Sequence, residues 1–579
     1  MVTQPSQEKD DQERSADGLA QGGRFRLPWV RDNLAAKNLI AWVNTLLFDR
    51  TAPNIRAFIE NRSFIVWLLA LLIGIGVAYA AISFRLLIGF VQLLWLGTAS
   101  ETVFSAASEL PWWLILLAPA AGGLVVGYIL QRFTPGRRAH GVADVIEARA
   151  VRDCNIDTRT GFISAIIAAI SLGAGASAGR EGPVVHLGAT VASAIEDLFD
   201  LPSSARRTLL ASGVAAAVSA SFNAPIAGVL FACEVILAHF AMSAFVPIVI
   251  ASVAGTLIAR VHLGDFPAFI IPQYQITSYW EFPAFALLGL TCAAVAIIFQ
   301  SSLMVTERVA WSVDIPLWLR PVVGGLLVGA IAIFFPQILG VGYETTDNAL
   351  KQGLSLQLLF ALLVAKTAAT SITLASRFGG GIFSPAIYLG AMAGGAFGIL
   401  AASVFPEVAS SNGLYAILGM GAVAGAILGA PISTTVMVFE LTGGYEMTIA
   451  LLLVVSIANG LTNAVHGASY FHWQLSTRGL FLQEGPHKEI MRKLCVREFM
   501  KPLGADETVG QLEEDDQQPW LLPSDTVESA LRAFDRSGEQ RIAVVHEYDT
   551  RRVIGWAEHV SALHAFNAAL IDAHVEEHK

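Results

Sequence analysis

The hydrophobic part of this chain of 579 residues contains the same pattern twice. A Leu-Gly-Ala triplet begins four residues after Pro183 and again four residues after Pro385. Further along each copy, an Ala-Pro pair is followed by a glutamate nine residues past the proline, Glu234 in the first copy and Glu440 in the second. The offsets are 202 and 206 positions, so whole halves are duplicated rather than one short motif. Two copies of one membrane half, each broken by Gly and Pro, are typical of transport proteins with a site between the repeats.

The composition places these halves in a membrane. Hydrophobic residues make up 54% of the chain and charged residues only 15%, whereas a soluble domain carries about 25% charge. Several apolar runs approach the roughly 20 residues that span hydrocarbon. The first continues past Arg85 to Leu96, which predicts a helix of roughly 50 Å. The apolar runs are 64–83, 111–131, 243–259, 282–299, 321–335, 358–374 and 448–459.

Other apolar runs are too short to span alone and are cut by Gly and Pro. In a membrane, such broken elements survive only when buried in protein or lining a wet cavity. We therefore predict an all-α polytopic membrane domain over 64–482, with inverted repeats of tilted and broken helices at about 64–240 and 282–465. Lys366, inside one apolar run, either stabilises the field of the site or extends its amine to water.

Charge and cysteine content narrow the partners and the location. The net charge of −10 is spread over termini and loops, so no nucleic-acid partner is predicted. The four cysteines lie far apart, and neither a disulfide framework nor a metal site is expected. The first 27 residues are polar and lack the apolar core of a signal peptide. Arginines crowd 132–159, which predicts a cytoplasmic loop, cytoplasmic termini and a multi-pass protein of the cell (inner) membrane.

The two ends of the chain differ from the membrane domain. Residues 1–60 predict a cytoplasmic segment whose part from 31 to 60 forms an amphipathic surface helix. Residues 487–579 predict a small α/β tail, with a helix at 526–537, strands at 541–546 and 552–556, and a helix from 560. This order resembles a cystathionine-β-synthase (CBS) motif, and 496–500 resembles the start of one. The tail has room for little more than one such motif, so adenine nucleotide binding is a minor alternative and no other cofactor is expected.

Glu181 is the candidate gate. Gly179-Arg180-Glu181-Gly182-Pro183 opens an apolar helical run, and a helix start offers free N–H groups and a positive dipole end that favour an anion. The second copy, GGGIFSP at 379–385, repeats the arrangement without a charge. A carboxylate between such donors would compete with the anion and block its place. The alternative is that Glu181 only caps its helix and pairs with Arg180.

The stretches GREGP, GGGIFSP and FNAP-x8-E resemble the signature motifs of the CLC family of chloride channels and proton-coupled chloride exchangers, over about 64–480. The resemblance implies a homodimer in a lipid membrane with one pore per subunit. Its ligands would be chloride or other small anions, with or without protons. It also implies that Glu181 is the gating glutamate. The implied anion-binding groups are Gly179, Arg180 and Gly182 around an outer site and the N–H groups of Ile382 and Phe383 at a central one.

Two positions depart from the family pattern around the central anion. His140-Gly141 stands where the family usually has a serine, and either the imidazole donates to the anion or only backbone faces it. The inner-gate tyrosine of the family corresponds to Phe471 by one count and to Tyr470 after a shift of one residue. If Phe471 holds the position, the site lacks one hydroxyl donor.

A third departure concerns proton coupling. The family's exchangers usually carry a second glutamate after the one in FNAP-x8-E, but Val235 follows Glu234 here, so the relay candidates are Glu181 and Glu234. This favours channel-like or weakly proton-coupled chloride transport over a strict chloride/proton antiporter.

Two other classes of function are a non-conducting membrane sensor with a nucleotide-binding tail and an intramembrane hydrolase using Glu181, His140 and His186. The hydrolase lacks a nucleophile in motif context, so no enzyme is predicted.

Overall fold

The computed structural model describes most of the chain. The described residues are 42, 45, 63–134, 136–199, 201–265, 269, 274–442, 445–481, 491, 494–503, 519–547 and 549–578. Contacts divide the chain into two units, Met1–Leu69 and Ala70–Lys579. The described part of the first unit is Trp42, Thr45 and the first turns of one long helix. Nearly all of the predicted surface helix at 31–60 therefore lies outside the described residues.

The hydrophobic part is helical throughout. The helices of the first half are α1 Ser63–Leu96, α2 Val103–Ser108, α3 Trp112–Phe133, α4 Val142–Val151, α5 Thr158–Gly173, α6 Glu181–Glu196, α7 Ser203–Phe222, α8 Pro225–Phe231, which continues as a π-turn over Ala232–Leu237, and α9 Met242–Leu263. Those of the second half are α10 Phe282–Ser312, α11 Arg320–Phe334, α12 Tyr343–Leu350, α13 Leu356–Ala375, α14 Phe383–Val404, α15 Asn412–Leu428, α16 Pro431–Thr442, α17 Tyr445–His466 and α18 Tyr470–Ser476.

Seven helical segments within the described residues are long and apolar enough to cross a membrane. The prediction that the first run continues past Arg85 is confirmed, because α1 has 34 residues and ends at Leu96. The run at 321–335 forms α11, which at 15 residues is too short to be among the seven. Instead α14, which begins inside the broken GGGIFSP motif, is a 22-residue span. The chain is a multi-pass membrane protein.

The duplication seen in the sequence is present in the packing. Gly188 of α6 lies against Gly213 of α7, and Gly390 of α14 lies against Gly419 of α15. A Cβ atom added at Gly188 would be 2.5 Å from the Gly213 carbonyl oxygen, and one at Gly390 would be 2.3 Å from the Gly419 oxygen. Neither contact leaves room for a side chain. In both repeats, the two central helices therefore cross with their backbones in direct contact.

The two repeats also exchange helix caps. The carboxylate of Glu440 on α16 accepts hydrogen bonds from the two amides after Pro225 at the start of α8, at 2.9 and 2.7 Å. The carboxylate of Glu234 accepts from the two amides after Pro431 at the start of α16, at 3.1 and 2.8 Å. A carboxylate at a helix start satisfies free N–H groups and the helix dipole. Glu234 and Glu440 therefore occupy equivalent positions, as related repeats require.

Removing either cap should destabilise the protein by a similar amount. We expect Glu234→Ala and Glu440→Ala each to cost about 2 kcal/mol, because each strips two amides of a charged acceptor. The melting temperatures of the two variants in detergent should fall together. A Glu234→Ala protein that melts like wild type but has lost proton movement would show that this carboxylate serves a relay instead.

The tail is a small α/β unit. Its elements are β1 Lys501–Pro502, β2 Trp520–Leu521, α19 Val527–Ser537, β3 Arg541–His546, β4 Asp549–Glu558 and α20 His559–His578. The strand order is β1-β4-β3-β2, with β2 parallel to β3 and the other pairs antiparallel. Thr526 caps α19 by accepting from the amide of Ser529 at 3.2 Å. The predicted helices and strands of the tail are confirmed.

Candidate functional site

The broken helix starts of the two repeats meet through their glycines. The amide of Gly179 donates to the carbonyl of Gly381 at 2.7 Å, and the amide of Gly381 donates back to the carbonyl of Gly179 at 2.7 Å. A Cβ atom on Gly381 would lie 2.9 Å from the Gly182 amide nitrogen, so only glycine allows this approach. The bridge sets the start of α6 beside the start of α14.

Glu181 is held where these helix starts meet. Its side chain is 2% exposed. Both carboxylate oxygens accept hydrogen bonds from hydroxyls of the other repeat, one from Tyr343 and one from Ser384. Arg180 also forms an ion pair with this carboxylate, with its Nε 3.7 Å from Oε1. The carboxylate is thus fixed by two long-range hydroxyl contacts together with its neighbour in sequence.

Arg180 also binds a second carboxylate. Its guanidinium pairs with Glu101, which also pairs with Arg85 at 3.1 Å. The same guanidinium lies over the ring of Tyr343, 4.8 Å from the ring centre. Arg180 therefore ties the Tyr343 ring to the Glu101 group, and the hydroxyl of Tyr343 remains directed at Glu181.

A cavity of about 360 Å³ is lined by Glu181 and by three arginines, Arg138, Arg377 and Arg478. We call it the arginine-lined cavity. All ten residues predicted for the gate and the anion sites are described, and eight of them line this cavity. The eight are His140, Gly141, Glu181, Gly182, Ile382, Phe383, Tyr470 and Phe471. Gly179, Arg180 and the relay candidate Glu234 are not part of its lining among the described residues.

The backbone amides along this cavity differ in whether they are free to donate to an anion. Ile382 and Phe383 begin α14, where the first N–H groups have no acceptor within the helix. Among the described residues, no side chain caps this helix start. By contrast, the Gly141 amide donates to Asp144 Oδ2 at 2.9 Å and is in use. The start of α14 is therefore the better donor pair for an anion in the cavity.

His140 lines the cavity with its ring packed on a second histidine. The ring centres of His140 and His186 are 5.4 Å apart, at an angle of 87°. The His140 amide donates to the Ser164 hydroxyl at 3.3 Å. At this residue the imidazole ring, rather than the amide, is therefore the group available to an anion. Both hypotheses for the imidazole remain open at this position.

Replacing His140 separates the two hypotheses. If the imidazole donates to the anion, His140→Ala loses a hydrogen bond of about 1 kcal/mol and shifts the chloride-to-nitrate permeability ratio about fivefold. His472→Ala is the matched control, because His472 bonds to Ser469 and is not among the described lining residues. Identical ratios in His140→Ala and wild type would mean that the ring does not face the anion.

Both candidates for the inner-gate position line the cavity. Tyr470 and Phe471 are buried neighbours at the start of α18. The Tyr470 hydroxyl accepts from Gln474 Nε2 at 3.2 Å, and its ring stacks on Trp473 at 5.7 Å. A hydroxyl is therefore present at this part of the cavity even if Phe471 occupies the family's position.

Three arginines lie along one part of the cavity wall. Arg138 and Arg478 both bind Asp144, at 3.0 and 2.9 Å, and Arg478 also reaches Glu147 at 2.9 Å. Arg377 lines the same wall. The same lining contains three carboxylates, Asp144, Glu181 and Glu307, so the arginines offer N–H donors to an anion without giving the lining a net positive charge.

Two residues that hold Glu181 were not identified from the sequence. Ser384 stands inside the GGGIFSP motif, where its hydroxyl was a usable signal. Tyr343 lies outside every repeated motif and gave none. Lys366 is fully buried and does not extend to water, because its amine donates to the carbonyls of Ile338 and Gly340 at 3.0 Å each. It thereby fixes the loop that leads into Tyr343.

The fold and the site together define a class of protein. Two related halves of membrane helices meet at broken helix starts, with a buried carboxylate and an arginine-lined cavity between them, which is the architecture of a membrane transporter for small anions. The sequence pattern of the family described as voltage gated chloride channel matches residues 122–463. The chain belongs to the CLC family of chloride channels and chloride/proton antiporters, which are transport proteins rather than enzymes.

Individual relatives agree with this assignment. A ClcB-like chloride channel protein of Ralstonia nicotianae is 34% identical over 387 residues, covering 66% of this chain and 90% of the relative. The voltage-gated ClC-type chloride channel ClcB of Escherichia coli is 28% identical, covering 70% and 97%. The crystal structure of a slow cyanobacterial Cl⁻/H⁺ antiporter has a TM-score of 0.64 at 20% identity, covering 72% and 99%. This last likeness shows a shared fold.

Proposed function

We propose that this protein carries chloride, or another small anion, across the membrane through the arginine-lined cavity, with Glu181 as the gate. The observation that carries the proposal is the place of the Glu181 carboxylate. It lies buried between the Tyr343 and Ser384 hydroxyls, where the helix starts of the two repeats meet. A carboxylate held by hydrogen-bond donors that could bind an anion occupies the place that a permeating anion needs.

Opening follows from the chemistry of these contacts. An ionised carboxylate accepts both hydroxyl hydrogen bonds, and such charge-assisted bonds are about twice as strong as neutral ones. Protonation removes the charge and converts one oxygen into a donor, which weakens the hold of both hydroxyls. The Ser384 hydroxyl and the amides of Ile382 and Phe383 then become donors for an anion. Acidification should therefore open the pathway.

We propose channel-like or weakly proton-coupled transport, with strict chloride/proton antiport as the second candidate. Two observations favour weak coupling. The Glu234 carboxylate is engaged as the cap of α16, and Val235 is buried with no titratable group. The antiporter candidate is favoured by the shared fold with the cyanobacterial antiporter.

We further propose that the protein is a homodimer of the cell (inner) membrane, with the arginine-lined end of the cavity and both termini facing the cytoplasm. The clustered arginines support this orientation, since positive residues concentrate on the cytoplasmic side. The tail is proposed to be a single CBS-like unit that supports or regulates the dimer, with adenine nucleotide binding as a minor alternative. The non-conducting sensor gains no support from the relatives, which are named chloride channels.

The test is chloride efflux from liposomes containing the purified protein, with external pH recorded in the same run. Chloride flux with a weak proton movement that has no fixed stoichiometry is the expected result. A fixed stoichiometric movement of protons against their gradient would establish the antiporter instead. If folded protein moves neither ion, the proposed function is wrong.

A further inference from the structure

One carboxylate of the arginine-lined cavity has no hydrogen-bond or ion-pair partner among the described residues. Among the described residues, the cavity is lined by three carboxylates, Asp144, Glu181 and Glu307. Asp144 is engaged by Arg138, Arg478 and the Gly141 amide, and Glu181 by two hydroxyls. Glu307 makes no hydrogen bond, and no ion pair within 4.0 Å, with any residue that the structure describes. It is the carboxylate whose oxygens are available to bind a proton.

Glu307 lies on a helix face that belongs to the cavity. Leu303, Glu307 and Trp311 of α10 are four residues apart and all three line it, as one face of a helix requires. Glu307 is half-buried, so it contacts both the cavity and the solution near its mouth.

Charged and titratable groups surround Glu307 from several elements. Arg377 follows α13, Arg478 follows α18 and Arg138 precedes α4, and all three act electrostatically on Glu307. The hydroxyl of Tyr470 on α18 is also close enough to interact with it. Among these groups, Glu307 is the carboxylate that can exchange a proton with water near the mouth.

The space between Glu307 and Glu181 suits proton movement. A volume of about 360 Å³ holds on the order of ten waters at roughly 30 Å³ each. The cavity wall includes polar groups that orient water, among them His140, Tyr470 and Gln474. Glu181 and Glu307 thus share one cavity, whereas Glu234 is outside its described lining and already bonded.

We propose that Glu307 is the proton acceptor through which Glu181 exchanges protons with the solution at the arginine-lined mouth; this rests on the proposed function. A hydronium ion gives its proton to the Glu307 carboxylate, forming an O–H bond and leaving water. The acid passes that proton to cavity water, and the water chain delivers a proton to the Glu181 carboxylate. Glu307 returns to its ionised form, and only O–H bonds form and break.

The experiment measures chloride and proton movement together in liposomes for Glu307→Gln, Glu307→Asp and wild type. We expect Glu307→Gln to keep chloride flux within about threefold of wild type and to lower the protons moved per chloride about tenfold or more. Glu307→Asp should restore most of that ratio. Asp314→Asn is the matched control, because Asp314 is an exposed carboxylate just after α10 and outside the described lining of the cavity.

Other outcomes overturn the inference. An unchanged proton-to-chloride ratio in Glu307→Gln would exclude the role, and so would a parallel loss of both fluxes, which indicates an electrostatic effect on anions. If wild type moves chloride without any protons, the inference fails while chloride transport stands. If wild type moves no chloride, the proposed function itself fails.

Discussion

Glu181→Gln is expected to raise chloride flux at neutral pH about tenfold and to remove its rise on acidification. The amide has the shape of the carboxylate but no charge, so the hydroxyls of Tyr343 and Ser384 lose their charged acceptor. A loss of about 1.4 kcal/mol in the closed state corresponds to a tenfold larger open population. The measurement is initial chloride efflux from liposomes at matched protein density.

Glu344→Gln is the control for that variant. Glu344 is next to Tyr343 in the chain, but its carboxylate accepts from Ser105 rather than from the groups around Glu181. Its substitution should leave the pH profile in place. A Glu181→Gln protein with wild-type flux and wild-type pH dependence would remove Glu181 from the gate.

Tyr343→Phe is expected to give an effect of similar size. It deletes the hydroxyl that donates to one Glu181 oxygen but keeps the ring beneath Arg180. A hydrogen bond to a charged group contributes about 1.5–3 kcal/mol, so the open population should rise at least about tenfold. Half-maximal chloride flux should then be reached about one pH unit higher, because less proton binding is needed to release the gate.

The control for Tyr343→Phe is a second buried tyrosine. Tyr388 is fully buried, and its hydroxyl makes no hydrogen bond to Glu181. Tyr388→Phe should leave the pH profile unchanged. If the two variants behave alike, the Tyr343 hydroxyl does not hold Glu181.

The parts of the fold that depend on local pattern were predictable from the sequence. The long helix through Arg85 and the helices and strands of the tail follow from apolar periodicity and capping residues. The pairing of the two halves follows from the repeated Leu-Gly-Ala and Ala-Pro motifs. These motifs also placed Glu181, Ile382 and Phe383, because glycine and proline at a helix start restrict the backbone in a readable way.

The remaining parts of the site depend on contacts between distant segments. Tyr343 reaches Glu181 across 162 positions, and no repeat or spacing marks it. Arg180 was expected beside the anion or Glu181; it pairs with Glu181, but it also binds Glu101, from a loop 79 positions away. Glu307 looks like an ordinary charge near a helix end until α10 is placed against the cavity. Tertiary packing decides such pairings, and no local pattern in the sequence indicates them.

The role of Glu181 is tested most directly by the chloride flux of the wild-type protein as a function of pH. Efflux from liposomes would be measured from about pH 8 to about pH 3.5, a range that extends below the pKa of about 4.3 of a free glutamate side chain. A gate made of an ionised carboxylate predicts that flux rises as the pH falls. A flux that stays constant over the whole range would contradict it.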